Sequence, residues 1–265
     1  RLGFESDRMS VRTHIHLSTA IERAVTAGSS VPELVATSRV VEQVRAVKDD
    51  YEQSTLREAG RLLSIVAGDV SRIIEPGRQE REVAIEIDAS LRSAGFERPA
   101  FDTIVASGPN SALPHAQPSA RLFTEGDIVL LDFGGVLDGY CVDLSRVATI
   151  GTPSEVARRL HSAVKAAQDA AIAAVRPGVW ASDVDGAARR VLEESGLGEA
   201  FGHGTGHGLG LEIHEDPRIS KRDSDHERAI AAGADVLLAP GMVFTVEPGA
   251  YEPGQGGVRI EDDVL

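Results

Sequence analysis

Three histidines, His203, His207 and His214, stand close together in a glycine-rich stretch, residues 202–215, which reads GHGTGHGLGLEIHE. Imidazole is a common metal ligand and a common proton carrier in catalysis, so this stretch is a candidate active-site segment. The alternating glycines make a helix unfavourable, because each would cost about 1 kcal/mol relative to alanine. We therefore predict an extended or looping backbone here, with the other site residues supplied from elsewhere in the chain.

Acidic residues interrupt two otherwise apolar runs. Asp132 lies within IVLLDF and Glu247 within MVFTVEP. Each run is followed by another acid, Asp143 after the first run and Glu261 after the second. A carboxylate in an apolar strand is costly to bury unless it is paired or coordinated. A position on a solvent-exposed face of the strand, or an ion pair with an arginine, would explain any one of these acids taken alone. All four together need another explanation.

An internal repeat places these acids at matching positions. Residues 126–135 (GDIVLLDFGG) align with residues 241–250 (GMVFTVEPGA), and residues 139–143 (GYCVD) align with residues 257–261 (GVRIE). The stretches before them also correspond, since IIEPG and SAGF are echoed by AVRPG and ESGL. Two related halves, each with a two-acid hairpin, predict a pseudo-two-fold arrangement that brings the four carboxylates to one centre.

Four clustered carboxylates predict bound cations, because their mutual repulsion requires positive charge nearby. Two divalent ions would supply that charge. A ligand set of carboxylates with one or two imidazoles suits Mn²⁺, Co²⁺, Fe²⁺ or Zn²⁺.

Hydrophobic spacing predicts the elements that must position these residues. One helical run extends over 40–73, a short amphipathic helix covers 83–91, and another covers 182–195. The motif TPSE predicts a helix that begins with a capping box at Thr152. Asp138-Gly139 predicts the turn of the first hairpin.

The composition describes an ordinary globular chain of 265 residues with a formal net charge of −14. This acidity argues against a nucleic-acid partner, since a phosphate backbone favours a basic face. No apolar run has the ~20 residues of a membrane span, so no membrane partner is expected. The single cysteine, Cys141, excludes an internal disulfide and is typical of a reducing, cytoplasmic location.

Two segments are expected. Residues 1–40 are predicted to be the remnant of an N-terminal domain with a linker, TAGSSVPELV, and residues 41–265 to be the functional domain. The chain opens on Arg1 and stops inside a predicted strand, so we expect it to be a piece of a longer protein.

Four blocks, DFGGVLDGYCVDLSR, GHGTGHGLGLEIHE, TVEPGAY and GVRIEDD, occur in this order. Together they resemble the signature blocks of the pita-bread (M24) metallopeptidases, which include methionine aminopeptidase, aminopeptidase P and prolidase. The resemblance covers about residues 40–265. It implies an α+β pita-bread fold, with pseudo-two-fold halves and a curved, mainly antiparallel sheet flanked by helices.

The resemblance also implies a two-metal site with five ligands. Asp143 and Glu261 would bridge the two ions, Asp132 would complete the shell of one ion, and His207 and Glu247 that of the other. Mn²⁺ is the expected metal, with Co²⁺, Zn²⁺ or Fe²⁺ as alternatives. A water bridging the metals would attack the peptide bond, and Glu247 would also carry the proton.

Three further histidines match substrate-side positions of the family, and a fourth residue, Arg259, precedes Glu261 by two, so strand alternation would place both on one face. His115 and His214 would lie beside the scissile bond as catalytic residues, and His203 would line the pocket for the residue after the cut. Arg259 could hold a bridging carboxylate or a substrate carboxylate, although a core ion pair is as good an explanation. A solvent-facing loop position remains the alternative for His115, and a position without a functional role remains the alternative for His203 and His214.

The blocks resemble aminopeptidase P and Xaa-Pro dipeptidase more than methionine aminopeptidase. They imply a hydrolase that cleaves between an N-terminal residue and a following proline in a dipeptide or longer peptide, and a homodimer in the full-length protein. A methionine-type or broader aminopeptidase, a metal-free creatinase-like hydrolase and a non-catalytic binding protein remain alternatives. The block CVDLSR departs from the family at Val142 and Ser145, where we expect the changes to be tolerated because neither residue is a ligand.

Overall fold

The computed structural model describes residues 1–24 and 30–265, which form two compact units, Arg1–Arg45 and Ala46–Leu265. The first unit contains a parallel pair of strands, β1 (Leu2–Glu5) and β2 (Leu34–Thr37), and a helix between them in sequence, α1 (Val11–Ala24). Another helix, α2 (Val40–Ala46), begins in this unit.

The boundary between the two units lies five residues after the predicted division at residue 40. The roles assigned to the two segments stay predictions. The predicted linker spans residues 26–35, of which 26–29 lie outside the described residues. Its last two residues, Leu34 and Val35, belong to β2, where strand pairing replaces the expected linker.

Two helices replace the single run predicted over 40–73. After α2 the chain restarts as α3 (Asp50–Val70), followed by a 3₁₀ turn at Ser71–Ile73. Asp49 begins the second helix as its N-cap, because its carboxylate accepts from the backbone N–H of Glu52, while the Glu52 carboxylate accepts from the Asp49 N–H. The prediction of one continuous helix is therefore wrong at residues 47–49.

The next helix, α4 (Glu80–Ser93), agrees with the amphipathic helix predicted over 83–91. The chain then enters an antiparallel sheet whose strands are β3 (Arg98–Pro99), β4 (Ile104–Ser107), β5 (Ile128–Leu137) and β6 (Tyr140–Thr149). A 3₁₀ turn at Gly108–Ala112 follows β4.

The first hairpin consists of β5 and β6, paired over their full lengths with Leu137 opposite Tyr140. Asp138 and Gly139 both have positive φ, 47° and 81°, as a two-residue type I′ turn requires. The hairpin predicted from the Asp-Gly pair is confirmed.

Two helices begin the second half, α5 (Glu155–Ala174) and α6 (Ala181–Glu194), the latter matching the helix predicted over 182–195. The predicted cap at Thr152 is wrong. Ser154 caps α5 instead, because its hydroxyl accepts from the Ala157 N–H while its own backbone is still extended.

Short strands make up the rest of the second half. They are β7 (Gly206–Gly208), β8 (Glu215–Ile219), β9 (Phe244–Val246), β10 (Gly249–Glu252), β11 (Gly256–Arg259) and β12 (Asp262–Val264), with helix α7 (His226–Ala231) after β8 and a 3₁₀ turn at Gly198–Ala200. One antiparallel sheet has the order β12-β9-β7-β8, and β10 pairs with β11 in a second hairpin.

The core of the second unit follows the repeat. One cluster packs α3 and α4 against the β5–β6 hairpin, and another packs α5 and α6 against strands β9 to β11. The result is an α+β fold in which antiparallel sheets are flanked by helices. Among the described residues, no helix combines the length and apolarity of a membrane span.

Candidate metal centre

Four acids from the two halves line one cavity of about 390 Å³. Asp132 lies on β5 and Asp143 on β6, within continuous strands. Glu247 and Glu261 instead stand at breaks in the second half, between β9 and β10 and between β11 and β12. The breaks leave both acids outside regular strand pairing, and both face the cavity with the acids of the first half.

His207 completes this group from β7. Its Nε2 lies 3.5 Å from Oε1 of Glu247 and 3.9 Å from Oδ2 of Asp143. The other ring nitrogen, Nδ1, lies 3.0 Å from the carbonyl oxygen of Gly208. Donation from Nδ1 to this carbonyl fixes the tautomer that leaves Nε2 free to bind a metal ion.

The tightest ligand set consists of Asp143, His207 and Glu261. Each offers one ligand atom, and the three atoms lie within 4.8 Å of one another. Asp132 and Glu247 line the same cavity without belonging to that set. All five predicted ligands are thus brought together, and three of them converge most closely.

The negative charges of the buried carboxylates repel one another. Burial, followed by repulsion from Glu261 and Asp132, raises the pKa of Asp143 well above its usual range. Burial raises the pKa of Glu247 to about 8, with Asp132 adding to the shift and Arg259 opposing it. Negative charge is therefore in excess at this centre.

Two buried carboxylate oxygens of this centre have no hydrogen-bond donor among the described residues to balance their negative charge. Within residues 1–24 and 30–265, no hydrogen-bond donor reaches Oδ1 of Asp132 or Oε1 of Glu261. Buried carboxylate oxygens are normally satisfied, and a divalent cation satisfies them as a donor does. The donor set of carboxylates and one imidazole therefore fits divalent metal ions.

Arg259 lies on β11 and is almost completely buried. Its Nη2 contacts the Oδ2 atom of Asp132, and its Nε donates to Ser145 Oγ at 2.9 Å. Its Nη1 donates to Tyr251 OH at 2.8 Å and to the Pro114 carbonyl at 3.2 Å. These contacts favour the alternative in which Arg259 holds the ligands in place, and its role in substrate binding stays a prediction.

Ser145 has a larger part than the sequence suggested. Its buried hydroxyl donates to Oε2 of Glu261 at 2.6 Å while accepting from Arg259. It therefore joins a candidate bridging ligand to the arginine that holds Asp132. The residue type is the one signal for this role, because a serine hydroxyl can donate and accept at the same time.

The three other predicted histidines also line the cavity. The ring centroid of His214 lies 4.3 Å from that of His207. Nε2 of His203 lies 3.0 Å from Tyr251 OH, and burial lowers the pKa of His203 to about 4. His115 reaches the cavity from the loop after β4. The structure thus brings together every predicted site residue, and their roles remain proposals.

Tyr251, on β10, is a site residue that the sequence reasoning missed. Its hydroxyl connects His203 to Arg259, and burial raises its pKa to about 12. It stands in the block TVEPGAY, four residues after Glu247. That spacing alone gave no sign that it would contact two other candidate residues.

The glycines beside His207 serve strand packing. A Cβ at Gly206 would overlap the carbonyl oxygen of Thr245, and one at Gly208 would overlap that of Asp216. The prediction of an extended backbone is confirmed for β7. The close approach that the glycines allow is to neighbouring backbone, which places the His207 ring at the cavity.

The fold and site together define a chain of paired halves that converge on a candidate metal-binding cavity, as the resemblance to the metallopeptidases implies. The model of metallopeptidase family M24 matches residues 54–265, and this chain belongs to that family. The predicted resemblance and the pita-bread fold class are confirmed by this match and by the similar structures below.

The chain is 39% identical over 237 residues to the Xaa-Pro dipeptidase of Pyrococcus furiosus, covering 89% of this chain and 65% of that protein. Its structure is similar to that of the Xaa-Pro dipeptidase from Bacillus anthracis, with a TM-score of 0.87, 38% identity, and coverage of 100% and 69%. It is also similar to an X-Pro aminopeptidase from Thermotoga maritima, with a TM-score of 0.84, 37% identity, and coverage of 99% and 69%.

The relatives are longer than this chain. It spans between 59% and 70% of the length of the curated relatives that match it. What those proteins act on is therefore a basis for a proposal about this one.

Proposed function

We propose that this chain is the catalytic part of a dinuclear-metal Xaa-Pro peptidase. It would hydrolyse the bond between an N-terminal residue and a following proline, in a dipeptide or a longer peptide. The observation that carries the proposal is the convergence of five metal-ligating side chains, from both halves of the fold, on one cavity with two unsatisfied carboxylate oxygens.

Asp132, Asp143, His207, Glu247 and Glu261 would hold two divalent cations. When bound, such ions supply Lewis acidity and lower the pKa of water to about 7. We infer Mn²⁺ as the metal, with Co²⁺, Zn²⁺ or Fe²⁺ as alternatives, because the donor set is mostly carboxylate oxygen with one imidazole.

The protein's own groups would position the substrate and move the protons. Glu247, at the cavity wall, would accept a proton from the attacking water and deliver it to the leaving proline nitrogen. His115 and His214 would donate N–H groups to the substrate's carbonyl oxygen as negative charge develops on it. His203 would line the pocket for the proline ring.

Proline explains why a dedicated site is needed. Its nitrogen carries no N–H in the peptide bond, so peptidases that depend on that donor fail on it. The names of the relatives, an Xaa-Pro dipeptidase and an X-Pro aminopeptidase, support this substrate class for the present chain. A homodimer and a cytoplasmic location, predicted from the sequence, belong to the same proposal.

A panel of three substrates tests the proposal. The protein, reconstituted with Mn²⁺, is assayed on an Xaa-Pro dipeptide, an Xaa-Pro tripeptide and a Met-Ala peptide, with His207→Ala as the control variant. We expect cleavage before proline that is lost in His207→Ala. Preference for Met-Ala would favour a methionine-type enzyme, and metal-independent hydrolysis of another substrate would favour a creatinase-like one.

A further inference from the structure

Glu80 is a carboxylate with no accessible surface, placed at the first residue of α4. Its Oε1 accepts from the N–H and the hydroxyl of Ser107, both at 2.7 Å. Its Oε2 accepts from the N–H of Ser119 at 3.0 Å and from the Ser119 hydroxyl at 2.6 Å. Asn110 donates to both oxygens. Both carboxylate oxygens of Glu80 thus accept several hydrogen bonds, and all of these donors belong to one loop.

That loop, residues 107–119, carries His115 to the cavity. Ser107 and Ser119 are its two ends, so Glu80 ties both ends to α4. The middle of the loop is connected to β11, since Ser111 Oγ accepts from the Gly257 N–H at 3.0 Å. His115 itself has an exposed side chain and depends on the loop backbone for its position.

Asp185, on α6, has the same relation to a second loop. It is 1% exposed, and its Oδ1 accepts from the N–H of Thr205 at 3.1 Å and from the Thr205 hydroxyl at 2.9 Å. It also pairs with Arg189, whose Nη2 donates to the carbonyl oxygen of His203 at 2.7 Å. The loop that carries His203 is therefore fixed to α6.

We propose that Glu80 and Asp185 are positioning residues, each of which sets the place of one substrate-side histidine, His115 for Glu80 and His203 for Asp185. The inference deepens the proposed function, on which its kinetic part rests. Helices α4 and α6 occupy corresponding places in the two halves, so each half would supply one buried carboxylate and one positioned histidine.

The amides Glu80→Gln and Asp185→Asn test this with little change of volume. An amide NH₂ would face Ser107, Asn110 or Ser119, which also donate, and one set of hydrogen bonds would be lost. We expect each amide variant to lower kcat/KM on an Xaa-Pro dipeptide by about tenfold to a hundredfold through displacement of its loop.

Crossed double-mutant cycles separate positioning from general damage. Glu80→Gln should add little to His115→Ala, because the displaced group is already gone, but its effect should multiply with that of His203→Ala. Asp185→Asn should add little to His203→Ala, and its effect should multiply with that of His115→Ala. If each amide variant multiplies with both histidine variants, the proposal is wrong.

Imidazole ¹⁵N spectra give a readout that does not depend on turnover. With resonances assigned from His115→Ala and His203→Ala, Glu80→Gln should shift the His115 signals and leave those of His203 in place, and Asp185→Asn the reverse. Unchanged spectra in both variants would overturn the proposal even if the protein cleaves no Xaa-Pro substrate. If Glu80→Gln does not fold, Ser119→Ala, which removes one donor from Glu80, replaces it in both experiments with the same expected pattern.

Discussion

At the scale of single residues, a layer of hydrogen bonds behind the candidate metal ligands fixes their orientation. Ser145 Oγ joins Glu261 to Arg259, and Arg259 in turn contacts Asp132. Residues in such a layer orient the ligands, and losing one typically costs 10–100-fold in metal affinity or activity. Ser145 is therefore expected to matter to the site although it is not one of the five candidate ligands.

Ser145→Ala should weaken Mn²⁺ binding and lower kcat/KM by about 10–100-fold, because Glu261 loses its hydroxyl donor and Arg259 loses an acceptor. Ser145→Thr keeps the hydroxyl and should retain most of the activity. Isothermal titration with Mn²⁺ and the dipeptide assay measure both. Equal losses in the two variants would indicate that volume, and not the hydroxyl, is what this position requires.

The sequence singled out the four acids because of their types and their matching places in the repeat, and the resemblance to the family implied the full set of five ligands. A carboxylate such as Asp132 inside an apolar strand stands out by its desolvation cost. Tyr251 was not singled out, and Ser145 was noted only as a tolerated departure, because a tyrosine or a serine in a strand is ordinary. Their contacts depend on how β6, β10 and β11 meet, which one sequence does not specify.

At the scale of elements, strand continuity differs between the two halves. The first hairpin is unbroken, whereas the strands of the second half break at Glu247, between β9 and β10, and at Glu261, between β11 and β12. Strand β7, which carries His207, lies between β8 and β9. Its glycines let the neighbouring backbones approach, so the ring of His207 is placed by strand packing.

Gly208→Ala should destabilise the protein by about 1–3 kcal/mol, because the added Cβ overlaps the backbone carbonyl of Asp216. Gly68→Ala is the matched control, since an added Cβ in this exposed part of α3 meets nothing within 4 Å. The control should gain up to about 1 kcal/mol from helix propensity. Urea unfolding measures both, and equal stabilities would contradict this explanation for the glycine.

Element types were more predictable than element ends. Hydrophobic spacing located α4 and α6, but it could not separate α2 from α3, because the apolar pattern continues past the break. The carboxylate of Asp49 caps the N-terminus of α3, which therefore begins as a separate helix. At α5 the prediction placed the cap at Thr152, whereas Ser154, two residues later, caps the helix.

At the scale of the whole molecule, the internal repeat explains why one motif could not contain the site. Each half buries its own core between two helices and a set of strands, and each contributes two acids. The repeat could be detected because the strand segments of the two halves have similar amino-acid sequences. The formal charge of −14 includes the four acids, whose repulsion in the folded state opposes folding unless cations are bound.

Removing the cations should therefore lower thermal stability. At a free Mn²⁺ concentration of 100 times Kd, one bound ion stabilises the fold by about 2.7 kcal/mol, which corresponds to roughly 5–10 °C in Tm for a chain of this size. Differential scanning calorimetry with Mn²⁺ or with a chelator measures the difference. In His207→Ala the difference should be much reduced; a full chelator effect there would place the stabilising ions elsewhere.

Counting the bound ions tests the two-metal site most directly. Isothermal titration of the chelator-treated protein with Mn²⁺ should give two ions per chain, with Glu261→Gln losing at least one of them while far-UV circular dichroism stays unchanged. A wild-type protein that binds no divalent ion at micromolar concentrations, or a Glu261→Gln variant that still binds two, would contradict a dinuclear centre built from the two halves.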